Sequence, residues 1–448
     1  MRGDGNGFSI MAHIIHDFLC YNIQVTRNVS DLLEKSLNGP RLALIRRAAA
    51  AAAELGYPLY VVGGFPRDLF LGRAGSDFDL VVEGDALKLA RALVKKYGGK
   101  VTAHEKFGTA KIDSSEWKLE AGHQSPASID LISSRSETYK HPAALPTIKP
   151  GSLDDDLSRR DFTINTMAIR LDGDHFGDLR DELGGLRDLD KRLVHVLHPR
   201  SFVDDPTRMF RAVRYEGRYG FKITGETLRL VPEGRGLVEK LSAQRLRHEL
   251  DLILEEPKSA SMLGRLAEMD LLKPVQPALR FDLPARRRFE RVPGQPPLDI
   301  PDLTFRNLRW MLWLMDFSSK EIETLNNRLH FNAPLLRTMI AASKLFADLP
   351  SYEELKPSQC VERLDEIPLP AVYAVSLAAE GKPKEKLERY LGEWRHVKPR
   401  TTGHDLKNLG LKPGPRYKKI LGALRAAWLD GSVDSAQQER ALLEKLMS

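Results

Sequence analysis

Residues 59–68 read LYVVGGFPRD and residues 77–82 read DFDLVV, and these two stretches decide how the first part of the chain folds. The apolar run before the glycines predicts a buried strand, and the residues after them predict a short helix that ends at Gly72. Backbone amides at the start of a helix bind anions, and glycine lets the backbone approach a phosphate closely. The first stretch therefore indicates a phosphate-binding turn.

Asp77 and Asp79 lie directly before the second predicted strand, Leu80–Val82. Because residues i and i+2 of an extended chain point the same way, both carboxylates face one spot. Carboxylate oxygens that converge beside a phosphate-binding turn are the ligands that Mg²⁺ needs for phosphoryl or nucleotidyl transfer. An ordinary turn and a solvated strand end are the alternatives, and the closeness of the two signals in the sequence favours the functional interpretation.

Composition bounds the class of protein. A chain of 448 residues should hold two to four domains or subdomains. Its two cysteines, Cys20 and Cys360, are far apart, which argues against a disulfide framework or a zinc finger and fits the cytoplasm. No apolar run reaches the roughly 20 residues that span a bilayer, so we expect no membrane partner. The net charge of +7 allows a polyanionic partner without requiring one.

The order of elements predicts a mixed α/β first part and a helical remainder. A helix is expected over residues 41–55, and a second one begins after Asp85. Short strands are expected at residues 101–102, 109–112, 117–119 and 128–132. Residues 133–158 are polar, contain three prolines and predict a long loop. Beyond Arg159 the apolar residues recur with largely helical spacing.

Asp130 is an acid in the middle of an apolar predicted strand. A buried aspartate needs a partner or a metal ion. The sheet could bring it beside Asp77 and Asp79 as a third carboxylate. A strand-edge aspartate that faces water is the alternative, and the residues alone leave the two readings open.

Two later segments are rich in arginine and aspartate. Residues 154–165 read DDDLSRRDFTIN. Acids at a helix start suit the helix dipole, and arginines bind phosphate with a forked pair of donors. A salt-bridged helix surface would use the same residues, so this segment stays ambiguous by itself.

The second segment, residues 204–215, reads DDPTRMFRAVRY and predicts a helix with an arginine stripe. Arg208, Arg211 and Arg214 recur every three residues and make a row suited to a triphosphate. Asp205 accepts hydrogen bonds and Arg208 donates them, so together they could read the Watson–Crick edge of a base. A solvated basic face is the alternative, and it is about as well supported.

Taken together, the segments resemble the class II tRNA nucleotidyltransferases, which include the CCA-adding enzymes, and their relatives the bacterial poly(A) polymerases. The matching residues are Gly63-Gly64-x-x-Arg67-Asp68, Asp77-x-Asp79, Arg159-Arg160-Asp161-Phe162-Thr163-Ile164-Asn165 and Asp205-x-x-Arg208-x-x-Arg211-x-x-Arg214. Their order and spacing are far more specific than any one motif. The core similarity covers about residues 57–256, and residues 402–415 also look like the family's C-terminal region.

The resemblance implies an α+β fold, in which a nucleotidyltransferase head with a mixed sheet is followed by an all-α neck, body and tail. The head is expected at residues 41–196, after a loosely ordered leader of residues 1–40. The remaining domains are the neck at 197–260, the body at 261–380 and the tail at 381–448. The neck would recognise the base, and the tail would bind tRNA.

The resemblance also implies the chemistry. Asp77 and Asp79 would hold Mg²⁺, with Asp130 as a third catalytic acid. The 3′ hydroxyl of tRNA would attack the α-phosphate of the nucleotide in line, and pyrophosphate would leave.

Nine further residues would bind the nucleotide: Gly63, Gly64, Arg67, Arg160, Asp161, Asp205, Arg208, Arg211 and Arg214. Among them, Gly64 and Arg67 would contact the triphosphate, and Asp161 would contact the ribose. Asp205 and Arg208 would pair with the base of incoming CTP or ATP.

Three functions follow from the resemblance. The first is a template-independent CCA-adding enzyme that uses CTP and ATP on the 3′ end of tRNA. The second is a narrower relative, namely an A-adding-only enzyme, a CC-adding-only enzyme or a poly(A) polymerase. In this family a shortened loop before the Arg159–Asp161 motif accompanies loss of A addition, and residues 135–158 look full length.

The third function is a catalytically inactive RNA-binding protein, against which the intact Asp77, Asp79 and Arg208 argue. The sequence leaves the oligomeric state open.

Overall fold

The computed structural model describes residues 27–37, 39–73, 79–115, 117, 128–139, 141–144, 146–295, 297, 300–301 and 303–447. The predicted metal ligand Asp77, most of the predicted leader and residues 118–119 of a predicted strand lie outside these ranges. The chain divides into two compact units, Met1–Leu241 and Ser242–Ser448. The boundary falls inside the range predicted for the neck. In the parts that are described, no helix is both long and apolar enough to cross a membrane.

The first unit combines short helices with a sheet. Its helices are α1 (Ser30–Ser36), α2 (Gly39–Glu54), α3 (Gly64–Phe70), α4 (Ala86–Tyr97), α5 (Leu153–Ser158), α6 (Gly185–Asp190), α7 (Ser201–Asp204), α8 (Thr207–Tyr219), α9 (Gly225–Arg229) and α10 (Val231–Arg235). Its strands are β1 (Leu59–Val62), β2 (Asp79–Val82), β3 (Lys100–His104), β4 (Thr109–Asp113), β5 (Ser128–Ser133), β6 (Arg135–Thr138), β7 (Thr147–Pro150), β8 (Ala168–Arg170), β9 (Leu179–Arg180), β10 (Leu193–Val194) and β11 (Lys222–Ile223).

A seven-stranded mixed sheet organises this unit, which confirms the predicted fold class. The strand order is β3-β4-β5-β2-β1-β8-β9, and β2 and β5 run parallel whereas the other neighbours run antiparallel. All four residues of β1 are buried, as the apolar run predicts for a central strand. Helix α4, which Asp85 caps as predicted, packs against β3, β4 and β5 and buries Leu89 and Leu93.

The strand register aligns the residues that carry chemistry. Val62, the last residue before the glycines, pairs with Asp79 on β2, and Asp79 pairs with Asp130 on β5. Asp130 in turn pairs with Lys111 on β4. Because cross-strand partners share a face of the sheet, Asp79, Asp130 and Lys111 form one row next to the glycine turn.

The long loop predicted for residues 133–158 is wrong. Strands β6 and β7 form a hairpin in which Arg135 pairs with Pro150, and α5 follows directly. Pro150 is tolerated because it occupies the last position of its strand, where a missing N–H costs little. The prolines suggested an irregular loop, but the hairpin is fastened at its base by a hydrogen bond of 2.6 Å from the Ser134 hydroxyl to the Gly151 carbonyl.

The segment of residues 27–37 packs against the outer edge of the sheet. The Val29 amide donates to the Gly177 carbonyl at 2.7 Å, and the Leu179 amide donates to the Arg27 carbonyl at 2.9 Å. Leu33 on α1 is fully buried. These contacts cover the edge strand β9, whose backbone groups would otherwise be open to pairing with another chain.

The second unit is helical throughout its described residues. Its helices are α11 (Ala243–Glu255), α12 (Ser259–Glu268), α13 (Leu283–Glu290), α14 (Phe305–Trp313), α15 (Ser319–Leu329), α16 (Ala333–Asp348), α17 (Pro357–Leu364), α18 (Leu369–Ala378), α19 (Gly381–Gly392), α20 (Gly403–Asn408), α21 (Pro415–Leu429) and α22 (Ala436–Met447). Trp310 and Trp313 stack in its core with ring centroids 5.1 Å apart. Each indole N–H is satisfied, by Asp251 and by the Arg280 carbonyl respectively.

Gly177 tests the packing of residues 27–37. It has a φ of 91°, and a Cβ there would lie 2.5 Å from the Ser30 backbone nitrogen. Gly177→Ala should therefore lower the free energy of unfolding by more than the ~1–2 kcal/mol that a left-handed backbone alone costs, and should speed tryptic cleavage at Arg27. Urea unfolding and limited proteolysis measure both effects.

Gly173→Ala is the matched control, because Gly173 also has a positive φ but nothing lies within 4 Å of its Cβ position. Equal losses of stability in the two variants, with unchanged cleavage, would contradict the proposed packing.

Candidate active site

The row of charged residues crosses the sheet at exposed positions of β2, β5 and β4. Asp79 and Asp130 are both exposed, and the Asp130 side chain retains 52% of its accessible area. The Lys111 Nζ lies 3.9 Å from an Asp130 carboxylate oxygen. Of the two readings of Asp130, neither holds entirely, because the carboxylate faces solvent and yet stands directly beside Asp79.

Asp79 and Asp130 fit a divalent cation of the hard type. Two carboxylates on neighbouring strands are about 4.8 Å apart at the backbone, and their oxygens are ligands that Mg²⁺ accepts. Among the described residues no group of three or more His, Cys, Asp or Glu side chains could hold a metal ion. The predicted third member, Asp77, lies outside those residues, so a complete ligand set stays a prediction.

The glycine turn is shaped by an arginine above it. Gly63 has a φ of 73°, which other residues rarely adopt, and a Cβ there would lie 2.6 Å from the Arg160 Nη1. Helix α3 begins at Gly64, earlier than the residues after the glycines suggested. The turn thus brings the amides at the start of α3 and the Arg160 guanidinium close together, as binding of a phosphate requires.

Arg67 is buried, and each nitrogen of its guanidinium already donates a hydrogen bond within the protein. Its guanidinium donates to both carboxylate oxygens of Asp68, at 2.9 and 3.1 Å, and to the Asn165 side chain at 2.5 Å. It also lies 4.6 Å from the centre of the Tyr219 ring and 5.3 Å from that of Tyr215. These contacts tie α3 to α8, and the predicted contact of Arg67 with a triphosphate stays a prediction.

Asp156 is the buried centre of the segment that contains the Arg-Arg-Asp motif. Its side chain is fully buried, one oxygen accepts from Arg159 at 2.6 Å, and the other accepts from Arg160 at 2.9 Å. The sequence analysis assigned the whole acidic run to the helix dipole and missed this residue. The spacing was the available signal, because residues three and four apart face each other on a helix.

The hairpin joins the same network. Arg159 also donates to Glu137 on β6 at 2.8 Å, and the Tyr139 hydroxyl donates to the other oxygen of Glu137 at 3.1 Å. Burial, followed by the charge of Glu137, raises the pKa of Tyr139 to about 12. Tyr139 therefore stays protonated and acts as a donor at any physiological pH.

Two arginines of α8 are buried, and no carboxylate of the described residues bonds to either of them. Arg208 and Arg214 are 5% and 7% exposed. Arg208 donates to the Ser201 hydroxyl and to the Arg159 carbonyl, both at 2.7 Å, and both acceptors are neutral. The Arg214 Nε is buried and has no hydrogen-bond partner in the described structure. The alternative of a solvated basic face is therefore excluded for these two residues.

The third arginine of the stripe binds the motif aspartate. Arg211 donates from Nε and Nη2 to Asp161 Oδ2, at 2.8 and 2.6 Å. Asp161 Oδ1 accepts from the Asn165 side chain and from the Phe162 amide. Burial opposes ionisation of Asp161, but the charge of Arg211 and these hydrogen bonds outweigh it and lower the pKa to about 2.

Asp205 stands at the start of α8 with one oxygen fixed. Its Oδ1 accepts from the Thr207 amide at 2.9 Å and from the Thr207 hydroxyl at 2.6 Å. This capping arrangement holds the carboxylate in one orientation beside the first turn. Asp205 and Arg208 thus form an acceptor and a donor held by separate protein contacts.

The structure assembles most of the predicted site from three separate motifs. Arg160 lies close to Gly63 in the glycine turn, Asp161 forms an ion pair with Arg211, and the Arg159 carbonyl accepts a hydrogen bond from Arg208. Other residues, to which the sequence assigned no role, contact these side chains and hold them in place: Asp68, Glu137, Tyr139, Asp156, Asn165, Ser201, Tyr215 and Tyr219. Asn165 stood within a quoted motif, but nothing in its local sequence showed that it reaches Arg67.

The Asp161–Arg211 pair predicts a pH-dependent stability. The pKa of the Asp161 carboxyl falls from about 3.8 to about 2 on folding. At any pH well above 3.8 this shift adds ~2 kcal/mol to the free energy of unfolding. That contribution is lost as the pH falls toward the pKa of Asp161 in the folded protein. Asp161→Asn should therefore destabilise the protein by ~2 kcal/mol at pH 7, and the difference from the unchanged protein should shrink by ~1 kcal/mol between pH 5 and pH 3.

Urea unfolding at several pH values measures this difference. Asp154→Asn is the control, since Asp154 is also ion-paired, with Arg180 at 3.4 Å, but its side chain is 69% exposed. A difference for Asp161→Asn that stays constant from pH 7 to pH 3 would contradict the lowered pKa.

Two protein-family models and several solved structures match this chain. Residues 59–195 match the model of the "Poly A polymerase head domain", and residues 220–283 match the "Probable RNA and SrmB- binding site of polymerase A". A solved structure of the Thermotoga maritima CCA-adding enzyme complexed with tRNA is 28% identical, with a TM-score of 0.76, and covers 95% of this chain and 99% of that one.

Curated relatives extend the match over most of this chain. An A-adding tRNA nucleotidyltransferase of Halalkalibacterium halodurans is 32% identical over 92% of this chain and 93% of the relative. One of Geobacter sulfurreducens is 31% identical over 97% of this chain but only 50% of the relative, so the chain spans about half the length of that protein. The resemblance that the motifs carry is confirmed, and this chain belongs to the tRNA nucleotidyltransferase and poly(A) polymerase family.

Proposed function

We propose that this protein is a tRNA nucleotidyltransferase that completes the 3′-terminal CCA of tRNA from CTP and ATP and releases pyrophosphate. The observation that carries the proposal is the pair of buried arginines, Arg208 and Arg214, with no carboxylate partner among the described residues. Asp161 interacts with the charge of Arg208 from nearby, but no carboxylate bonds directly to either arginine among the described residues. Because burial of a guanidinium without a bonded anion is unfavourable, we infer that the site is suited to an anionic ligand. A nucleoside triphosphate supplies that charge.

Asp77 and Asp79 are proposed to hold Mg²⁺, with Asp130 beside them. When bound, Mg²⁺ neutralises charge on the phosphates and favours ionisation of the attacking hydroxyl. The exposed carboxylate of Asp130 stands in register with Asp79, where it can accept a hydrogen bond from the 3′ hydroxyl of tRNA. The oxygen of that hydroxyl bonds to the α-phosphorus, and the bond to the pyrophosphate oxygen breaks.

The glycine turn and Arg160 are proposed to bind the triphosphate. The amides at the start of α3 donate to phosphate oxygens, and Arg160 lies directly above Gly63. The buried Nε of Arg160 has no hydrogen-bond partner in the described structure, so it remains available as a donor. Arg67 acts from behind, since its contacts with Asp68, Asn165 and two tyrosines fix the position of α3.

Asp205 and Arg208 are proposed to select the base. One carboxylate acceptor and one guanidinium donor, each fixed by neighbouring groups, can be matched by the hydrogen-bonding edge of cytosine or adenine. Arg208 is almost fully buried, and two of its N–H groups are held by Ser201 and the Arg159 carbonyl, so the base is proposed to pair with its remaining N–H groups. A base that leaves those groups unpaired would be disfavoured by the cost of their desolvation. Asp161, held by Arg211, is proposed to contact the ribose.

An A-adding-only enzyme is the second candidate. It is favoured by the names of the two curated relatives described above, both of which are called A-adding. Strands β6 and β7 pair as a hairpin, and the length of the segment before the Arg-Arg-Asp motif fits an enzyme able to add A. The two candidates share AMP addition and differ only in the use of CTP.

Three tRNA substrates decide between the candidates. Purified protein is offered tRNA ending in the discriminator base, in C and in CC, each with labelled CTP or ATP. Full CCA addition predicts C incorporation on the first two substrates and A incorporation on the third. Incorporation of AMP alone, and only onto tRNA ending in CC, would select the A-adding candidate.

Asp79→Ala should reduce every incorporation by more than about a hundredfold while the protein still binds tRNA, because it removes a proposed metal ligand. No incorporation by the unchanged protein on any tRNA would overturn the proposed activity.

Asp205→Ala tests the choice of base. Loss of one member of a fixed donor and acceptor pair should lower discrimination between CTP and ATP by about five- to 150-fold, since such a pair is worth ~1–3 kcal/mol. The measurement is the ratio of kcat/KM for the two nucleotides in competition on tRNA ending in CC.

Asp204→Asn is the matched control, because Asp204 lies next to Asp205 but contacts Arg200 at 3.4 Å. Unchanged selectivity in Asp205→Ala would remove that residue from base recognition.

A further inference from the structure

The row that contains Asp79, Asp130 and Lys111 continues to Thr102 on β3. Thr102, Lys111, Asp130 and Asp79 are register partners on the four neighbouring strands β3, β4, β5 and β2. All four are exposed, and the Lys111 side chain retains 56% of its accessible area. Helix α4 packs against β3, β4 and β5. On β1 the row ends at Val62, which pairs with Asp79 and is buried against Leu153 and Leu157, so the exposed part of the row runs from β2 to β3.

The strand order gives this row a direction. The glycine turn follows β1, on one side of the carboxylates, and Lys111 lies on β4, on the other side. With strands about 4.8 Å apart, the Lys111 backbone is about 10 Å from that of Asp79. The row therefore separates a phosphate-binding turn from an exposed lysine, with the two carboxylates between them.

In-line transfer then orders the two substrates along the row. The attacking and leaving oxygens lie on opposite sides of the phosphorus. If the triphosphate is bound at the glycine turn and Arg160, pyrophosphate leaves on the β1 side. The 3′ hydroxyl must approach from the β4 side, and the RNA strand behind that hydroxyl passes over β4.

We propose that Lys111 binds a backbone phosphate at the 3′ end of the acceptor RNA and so positions the terminal hydroxyl at Asp130; this inference rests on the proposed function. Lysine suits the task, because its ammonium group is a point charge on a flexible stem with three donors. Its contact with Asp130, at 3.9 Å, joins two half-exposed groups, and exposed pairs of this kind are weak. A phosphate can therefore replace the carboxylate as the partner of Lys111 at little cost.

The neighbouring lysine on this face has a different setting. Lys100 on β3 pairs in register with Asp113, one row farther along the strands. Asp113 accepts from the Ser115 amide and hydroxyl, at 3.0 and 2.6 Å. Lys111 is thus the lysine of β3, β4 and β5 whose register partner is a proposed catalytic carboxylate.

Lys111→Met tests the proposal, because methionine keeps the unbranched stem and removes the charge. We expect the Kd for tRNA ending in CC, measured without divalent cation, to rise about three- to tenfold. The slope of log Kd against log salt should become shallower by about 0.7–0.9, as loss of one phosphate contact predicts. KM for tRNA should rise in parallel, KM for ATP should stay the same, and Lys111→Arg should restore both the affinity and the slope.

Lys95→Met is the matched control, since Lys95 is exposed on α4, which covers the opposite face. It should leave the Kd and the salt slope unchanged. Circular dichroism and the unfolding midpoint confirm that all variants fold.

Two results would overturn the role of Lys111. One is the same Kd and salt slope in Lys111→Met and the unchanged protein. The other is a shift in the Mg²⁺ concentration needed for activity with no change in tRNA binding, which would place Lys111 with the carboxylates. Failure of the unchanged protein to extend any tRNA would instead overturn the proposed function, so the two failures are distinct.

Discussion

The fully buried carboxylate of Asp156 is the interaction on which the candidate site depends. It divides its oxygens between Arg159 and Arg160. Arg160 is thereby held above Gly63, and the Arg159 carbonyl is held where Arg208 donates to it. Removal of this carboxylate would leave Arg160 without its ion-pair partner and Arg159 with Glu137 alone. Such a loss typically costs about 3–5 kcal/mol, a large part of the roughly 5–15 kcal/mol that stabilises a domain.

The balance of buried charge distinguishes this site from an ordinary structural network. Asp156 and Asp161 bond directly to Arg159, Arg160 and Arg211, whereas among the residues that the structure describes no carboxylate bonds directly to Arg208 or Arg214. Natural cores rarely retain an unpaired guanidinium, because burial of the charge is so unfavourable. The excess therefore has a use when a polyanion binds, and the stability that it costs in the free protein is recovered as binding energy.

The sequence predicted correctly those secondary-structure elements that depend on residues close together along the chain. Buried strand β1, the cap of α4 at Asp85 and the helix from residue 207 follow from apolar runs and capping residues, and the structure confirms them. The hairpin of residues 135–150 was missed because proline content does not reveal its contacts with other segments, such as those of Arg135 with the Phe107 carbonyl and of Glu137 with Arg159. The burial of Arg67 was missed for the same reason, since Tyr219 lies 152 positions away along the chain.

Exposure divides the site into two parts with different physical tasks. Asp79, Asp130 and Lys111 are exposed, where water and salt weaken each charge and where, in the proposed function, an RNA end enters and leaves. Arg208 is almost fully buried, and in the proposed function a mismatched base leaves its remaining N–H groups unpaired in a desolvated setting. A protein that must release its RNA product and still reject the wrong base benefits from this separation, because weak binding at one end does not reduce selectivity at the other.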